Sequence, residues 1–185
     1  VYWGPKGRET RVLKFYWRFT GKEGLVVVNR DGTNQKFLIP IGIFPSGFPQ
    51  WSPDGSKIAW RVRDGIKVIN TDGSGLCYVF RREQPLHGKA FTIVPIYGIY
   101  WSPDSKRIAF TISRSPIKGR PEQIGPPGTQ PPPTNIELVD LQTGQLTMLF
   151  RDEEGRLEGH LQWSPDGNYI YFTWKSDIWA MTLKN

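Results

Sequence analysis

The chain has 185 residues and a formal net charge of +7, from 24 lysines and arginines against 17 aspartates and glutamates. That length allows one ordinary domain with a sizeable core, and no run approaches the roughly 18 apolar residues of a membrane-spanning helix. Abundant glycine, proline and aromatic residues, without a long 3.6-residue periodicity, favour an all-β class. No signal peptide is visible and the first residue is not Met, so we expect a processed or partial chain.

The first 24 residues interleave basic and aromatic side chains. Such a pattern can form a stacking surface for single-stranded nucleic acid. Residues 12–19 are rich in apolar β-formers and are followed by a glycine-containing turn at 20–24, which fits a strand and turn packed in a core equally well. We favour the second interpretation, in which this stretch belongs to a degenerate first repeat.

From residue 25 onward, apolar stretches alternate with turn residues. The segments 25–32, 66–73 and 136–144 each run into an Asp/Asn/Gly turn, which is a hairpin signal. The segments 36–38, 76–80 and 146–150 supply the returning strands, and 178–182 begins a fourth strand of this kind. The sequence therefore predicts a series of antiparallel hairpins.

A second motif, WSPD, occurs three times between these hairpins, beginning at Trp51, Trp101 and Trp163. Ser-Pro-Asp-Gly is the composition of a type I β-turn, and a type I turn tolerates the serine that replaces glycine at position 105. The runs after each turn predict strands buried on both faces, and the tryptophans are large enough to fill the space between neighbouring sheets. We interpret the recurring aspartates as formers of the turns: Asp54, Asp104 and Asp166.

The three WSPD copies and the Asp-Gly hairpins between them resemble the repeat of TolB-like β-propellers, which also occurs in the propeller domains of tricorn-like and prolyl-oligopeptidase-like peptidases. The resemblance covers residues from about 25 to the end. It implies an all-β fold, a partial or small β-propeller ring with three clear WSPDG blades and one degenerate N-terminal blade. The approximate blade ranges are 10–38, 49–80, 98–150 and 161–185, with a proline-rich insertion at 113–134. By analogy, it also implies an exported, periplasmic or cell-surface protein.

In such a repeat the tight turns share one face, and the other connections emerge on the opposite face. We call this opposite side the long-loop face, and on it we place the segments 39–50, 81–97, 113–134 and 151–161. Long loops on a rigid scaffold are the usual seat of binding. The first two segments are apolar and could instead fold back over the core. The insertion could be an arm toward a partner or a plain surface spacer, and the last segment is acidic.

The distribution of charged residues along the chain bears on the kind of partner. Residues 1–90 carry a net charge of +8 and residues 91–185 carry −1, which suggests an acidic partner surface, although a solvated basic surface is the alternative. Scattered basic residues without a recognition motif make nucleic acid an improbable ligand. The candidate partner-binding residues are Phe44, Phe48, Arg81, Arg82, His87, Lys89, Arg114, Lys118 and Arg120.

No catalytic or cofactor motif is recognisable in the sequence. It has no Gly-x-Ser-x-Gly elbow, no glycine-rich phosphate loop and no zinc-binding spacing, and His87 and His160 lie in separate segments. Cys77 is the only cysteine, and we expect a buried, unreactive strand residue. The leading interpretation is a non-catalytic scaffold that binds a protein partner or the subunits of a larger complex. The alternative is the substrate-gating propeller of a larger serine peptidase or related hydrolase.

Overall fold

The computed structural model consists of β-strands and turns. It describes residues 2–3, 11–15, 24–29, 31–40, 49–62, 64–81, 96–113, 134–154 and 157–183. None of these residues forms a helix that could cross a membrane. The chain divides into two compact units, Val1–Arg81 and Arg82–Asn185. The expected all-β class is confirmed within the described residues.

The first unit contains two four-stranded antiparallel sheets whose strands follow the order of the chain. The first sheet comprises β1 (Tyr2–Trp3), β2 (Arg11–Phe15), β3 (Gly24–Asn29) and β4 (Lys36–Pro40). The second comprises β5 (Gln50–Trp51), β6 (Lys57–Val62), β7 (Gly65–Asn70) and β8 (Cys77–Arg81). Each consecutive pair of strands is antiparallel, as the hairpin pattern predicts.

The second unit contains the third and fourth sheets. The third sheet has four strands, β9 (Ile96–Trp101), β10 (Arg107–Ser113), β11 (Thr134–Asp140) and β12 (Leu146–Asp152). The fourth has three described strands, β13 (Leu157–Trp163), β14 (Tyr169–Trp174) and β15 (Asp177–Thr182). Again every neighbouring pair is antiparallel.

Each WSPD turn is closed by the same set of hydrogen bonds. In the second sheet the Gly55 amide donates to the Ser52 carbonyl at 2.8 Å, and the Ser52 hydroxyl donates to Asp54 Oδ1 at 2.6 Å. The Lys57 amide donates back to Ser52 Oγ at 2.9 Å, which joins the turn to the start of β6. The turns that begin at Ser102 and Ser164 repeat these contacts. The three aspartates therefore serve as turn formers.

The core of each unit lies between its two sheets. In the first unit, Leu25 and Val27 of β3 share a buried cluster with Ile58 and Trp60 of β6. In the second unit, a buried cluster joins β10 and β11 to the fourth sheet; its members are Ala109, Ile136, Leu157, Leu161, Trp163, Ile170, Phe172 and Leu183. The predicted role of the WSPD tryptophans is visible here, because Trp163 is buried and its Nε1 donates to the Tyr100 carbonyl at 3.1 Å.

Two expectations need correction. Cys77 is exposed, because it lies on β8, the outermost strand of its sheet. The segment 151–161 is mostly strand rather than loop, since β12 extends to Asp152 and β13 begins at Leu157. Asp152 is buried, and its carboxylate accepts hydrogen bonds from the amides of Glu154 at 3.1 Å and Leu157 at 2.7 Å. The Asp152 carboxylate thus stabilises the short connection between β12 and β13 and does not contribute to an acidic surface.

Candidate partner-binding surface

Of the nine predicted partner-binding residues, Arg81 lies within the described structure. The other eight fall outside the described residues: Phe44, Phe48, Arg82, His87, Lys89, Arg114, Lys118 and Arg120. Arg81 is the last residue of β8, at the end of the second sheet opposite its WSPD turn. That end is the one on which the sequence places the long-loop face.

Arg81 is held at this end by the neighbouring hairpin. β6 and β7 are joined by a tight connection that contains Asp64, and Gly65 pairs with Arg81 across the sheet. A Cβ on Gly65 would lie 2.1 Å from the Phe80 carbonyl oxygen, so only glycine lets the backbones approach this closely. The Arg81 Nε lies 3.4 Å from Asp64 Oδ2. The pairing of Gly65 with Arg81 therefore sets where the Arg81 side chain starts, and the contact with Asp64 orients its guanidinium.

Tyr78 completes the cluster. Its hydroxyl donates to Asp64 Oδ1 at 3.0 Å, while Lys67 Nζ lies 4.4 Å and Arg81 Cζ 4.9 Å from the centre of its ring. Partial burial, followed by the hydrogen bond to Asp64 and the negative charge of Asp64, raises the pKa of the Tyr78 phenol. Tyr78 therefore keeps its proton at neutral pH and remains a donor to the carboxylate.

The Arg81 side chain is 61% exposed, compared with 25% for Asp64. Two cations and one carboxylate meet at Tyr78, so the local charge is positive. An exposed arginine whose stem is oriented by a carboxylate and an aromatic ring loses little conformational freedom when it binds a second carboxylate. The chemistry that this surface offers is recognition of an acidic group by a pre-oriented guanidinium.

The corresponding end of the second unit carries residues that the sequence analysis did not single out. Lys175, in the turn between β14 and β15, lies 3.0 Å from Glu154 Oε1 and places Nζ 4.4 Å from the centre of the Trp174 ring. Trp174 in turn makes edge contacts with Phe150 and Trp179. The basic residue after an aromatic strand was the available signal, but only the fold shows that a carboxylate from the connection between β12 and β13 lies beside it.

A buried polar row lies on β11 near the same end. Glu137 and Asn135 are almost completely buried, and Asn135 Nδ2 donates to Glu137 Oε1 at 3.4 Å and approaches Met148 Sδ at 3.5 Å. Buried carboxylates are uncommon unless they are bonded. The segment 136–144 was predicted to be an apolar strand and a turn, although Glu137 interrupts its apolar pattern and the polar Asn135 precedes it.

Among the described residues, no group of three His, Cys, Asp or Glu side chains is arranged to hold a metal ion. His160 is exposed on β13, and His87 falls outside the described residues.

Comparison with known proteins supports the fold. No protein-family model matches the sequence, and no curated protein matches it. Oligogalacturonate lyase from Vibrio parahaemolyticus is similar with a TM-score of 0.64 and 14% identity over 89% of this chain and 43% of that chain. TolB from Acinetobacter baumannii is similar with a TM-score of 0.57 and 20% identity over 95% of this chain and 39% of that chain. Acylaminoacyl peptidase from Pyrococcus horikoshii gives a TM-score of 0.52 and 19% identity over 92% of this chain and 27% of that chain.

These likenesses confirm the resemblance to TolB-like β-propellers and to peptidase propeller domains. At these identities the likeness concerns the fold. The chain spans less than half the length of each of the three proteins.

Proposed function

We propose that this chain is a non-catalytic β-propeller scaffold that binds an acidic protein partner, or subunits of a larger complex, through its long-loop face. The observation that carries the proposal is the geometry of Arg81. Its side chain is largely exposed, yet Asp64 and Tyr78 fix its orientation. An arginine that only faces solvent gains nothing from a fixed orientation. An arginine that binds a partner gains affinity from it, because less conformational entropy is lost on binding.

The distribution of charge supports an acidic partner. The half of the sequence that contains Arg81 carries the entire excess of positive charge, and long-range attraction between opposite charges accelerates association. The predicted residues on the same face include Arg82, Lys89 and Arg114.

Reversal of the charge at Arg81 tests this function. We expect Arg81→Glu to weaken the complex at least about tenfold, because breaking an interfacial charge pair costs about 2 kcal/mol or more. Partners that co-purify with the tagged protein from its natural source would be identified by mass spectrometry. Affinity for the purified partner would then be measured for the wild-type protein and the variant by isothermal titration calorimetry.

Lys106→Glu is the matched control. It makes the same change of charge at an exposed residue in the WSPD turn of the third sheet, at the end opposite the long-loop face. Circular dichroism would verify that both variants are folded. Equal affinities of wild type and Arg81→Glu, or equal losses in both variants, would contradict the proposed surface.

A second candidate function is a substrate-gating propeller within a larger serine peptidase or related hydrolase. The similarity to the acylaminoacyl peptidase from Pyrococcus horikoshii favours it. A gene that encodes a nucleophile elbow and a hydrolase domain beside these residues would support this candidate. We also propose an exported location, by analogy with TolB; fractionation of source cells with a periplasmic marker tests it.

A further inference from the structure

A polar cavity lies between the first and second sheets, at the end of the first unit that carries the tight turns. Its volume is about 490 Å³, within the range of about 300–1,000 Å³ that small-molecule sites occupy. Arg81 lies at the far end of β8, so this cavity is separate from the long-loop face. We call it the hairpin cavity; the residues that line it include Val27, Asn29, Asn34, Gln35, Lys36 and Asp72.

Two similar turns form the walls of the hairpin cavity. Residues 29–33 and 70–74 share the pattern Asn-x-Asp-Gly-Thr/Ser, and in each turn the first amide donates to the fifth carbonyl, at 2.9 and 3.0 Å. The carboxylates of Asp31 and Asp72 each accept from the amide two residues later, at 2.9 and 2.8 Å. The Thr71 amide also donates to a carbonyl of the WSPD turn at 2.9 Å. The walls are therefore fixed by hydrogen bonds in the absence of a ligand.

The residue after this pattern differs between the two turns. It is Asn34 in the first and Gly75 in the second, and both have a left-handed backbone, with φ values of 51° and 67°. Glycine is required in the second turn, because a Cβ on Gly75 would lie 2.7 Å from Asn70 Nδ2. Asn34 instead lines the cavity with a side chain that has no hydrogen bond to a described residue. An unpaired amide at a position that favours glycine is the kind of local strain found at binding sites.

A cation and an anion lie side by side in the hairpin cavity. Lys36 reaches from the first sheet to the second, where its Nζ donates to the Asp72 carbonyl oxygen, and two of its N–H groups remain for a ligand. Asp72 Oδ1 accepts from the amide and the hydroxyl of Ser74 at 2.8 and 2.6 Å. Asp72 Oδ2 has no hydrogen bond within the described residues. The Lys36 and Asp72 charges cancel, so the cavity has no net charge that would select an acid or a base.

The other lining groups narrow the class of ligand. The amides of Asn34 and Gln35 can each donate and accept a hydrogen bond, and Val27, buried in the core of the first unit, adds one small apolar patch. A hydroxyl group also donates and accepts, so it satisfies an ammonium, a carboxylate or an amide. The described part of the lining contains no aromatic ring, so a nucleobase would gain no stacking there.

We propose that the hairpin cavity binds a neutral saccharide. Sugar hydroxyls donate to Asp72 Oδ2 and to the Asn34 amide oxygen and accept from Lys36 Nζ, while the C–H groups of the ring contact Val27. An acidic substituent would lie beside the Asp72 carboxylate, and a basic one beside Lys36, so either charge is disfavoured. This site does not depend on partner binding at Arg81.

Calorimetric titration with monosaccharides of different charge tests the proposal. Glucose, galactose and mannose are the neutral probes; glucuronate and glucosamine keep the glucose ring and carry a negative or a positive charge. We expect at least one neutral sugar to bind with a dissociation constant in the millimolar range or below. The charged sugars should bind at least about threefold more weakly than that sugar, because each places a charge beside a like charge.

Two variants locate the binding. Asn34→Gly gives the first turn the residue of the second, which suits the backbone, and should weaken binding of the neutral sugar about two- to tenfold by removing a hydrogen bond. Lys36→Met keeps an apolar side chain of similar length without the ammonium group and should weaken binding at least about tenfold. Lys106→Met makes the same change at an exposed residue of the third sheet and should leave the affinity unchanged. Circular dichroism would verify that all three variants are folded.

Three results would overturn the proposal. The first is that none of the neutral sugars binds at millimolar concentrations, and the second is that glucuronate or glucosamine binds more tightly than the neutral sugars. The third is that wild type, Asn34→Gly and Lys36→Met bind the neutral sugar equally, which would mean that it binds outside the hairpin cavity. Arg81→Glu should leave sugar binding unchanged, so a failure of the proposed partner surface would be distinguishable from a failure of this site.

Discussion

At the scale of single residues, the position after Asp in each WSPD turn has a left-handed backbone conformation that favours glycine. Gly55 and Gly167 have φ values of 72° and 74°, and Ser105 at the equivalent position has a φ of 61°. This left-handed region is unfavourable for a residue with a Cβ. A type I turn was expected to tolerate this serine, but its backbone has a conformation in which glycine is preferred.

Ser105→Gly should therefore stabilise the protein by about 0.5–1 kcal/mol, because it removes the strain of a Cβ in the left-handed region. Urea unfolding followed by tryptophan fluorescence would measure the change. Gly167→Ser is the reciprocal control and should lower the free energy of unfolding by a similar amount. A loss of stability in Ser105→Gly would contradict this account of the turn.

At the scale of elements, the tight turns depend on ionised aspartates. Hydrogen bonds from Ser164, then from the backbone and side chain of Asn168, lower the pKa of Asp166. Partial burial acts to raise the pKa of Asp104, but the hydrogen bonds from Ser102 and the Lys106 amide, together with the charges of Arg107 and Lys106, lower it on balance. The hairpin turn at Asp72 behaves in the same way through Ser74. Each carboxylate thus favours the folded state when it is ionised.

A carboxylate with a lowered pKa in the folded state contributes stability above its unfolded pKa, and this contribution is lost as the pH falls through the folded value. We expect the free energy of unfolding to decrease below about pH 4. Asp166→Asn should show a smaller decrease between pH 6 and pH 3, because the asparagine Oδ1 can still accept from the Ser164 hydroxyl and the Asn168 amide but the side chain does not titrate. Urea titrations at both pH values would measure this, with Tyr171→Phe as an uncharged control. An identical decrease in Asp166→Asn and wild type would contradict the role of this carboxylate.

At the scale of the molecule, stability in each unit comes from the contact between its two sheets. In the second unit this contact contains Ile136, Ile170 and Phe172. Ile178 pairs with Thr173 in the last repeat as Ile136 pairs with Thr111, but Ile178 lies on an uncovered face. The same residue type in the same repeat position thus has two different energetic roles.

Ile136→Ala should lower the free energy of unfolding by about 2–5 kcal/mol, because it removes buried methyl groups and leaves a cavity. Ile178→Ala in the same 185-residue chain should change it by no more than about 0.5 kcal/mol, since the side chain is exposed. Thermal and urea unfolding of the two variants would give both values. A large loss in Ile178→Ala would mean that this face is covered within the chain itself.

The sequence alone determined the strands and turns, because the turn residues and the apolar runs act locally. The WSPD copies and the Asp-Gly hairpins predicted the antiparallel order that the structure shows in the described residues. The TolB-like resemblance rested on the same motifs and is confirmed by the similar solved structures. The blade ranges and all nine candidate partner-binding residues stay predictions.

Only the tertiary structure decided which side chains meet. The sequence placed Arg81 in a long segment and predicted that it binds a partner, whereas its contacts with Asp64 and Tyr78 arise from strand register. The burial of Asp152 and the exposure of Cys77 could not be read from residue type, because both depend on where a strand lies in its sheet. Local patterns specify strands and turns, whereas burial and pairing depend on contacts between residues that are distant in the chain.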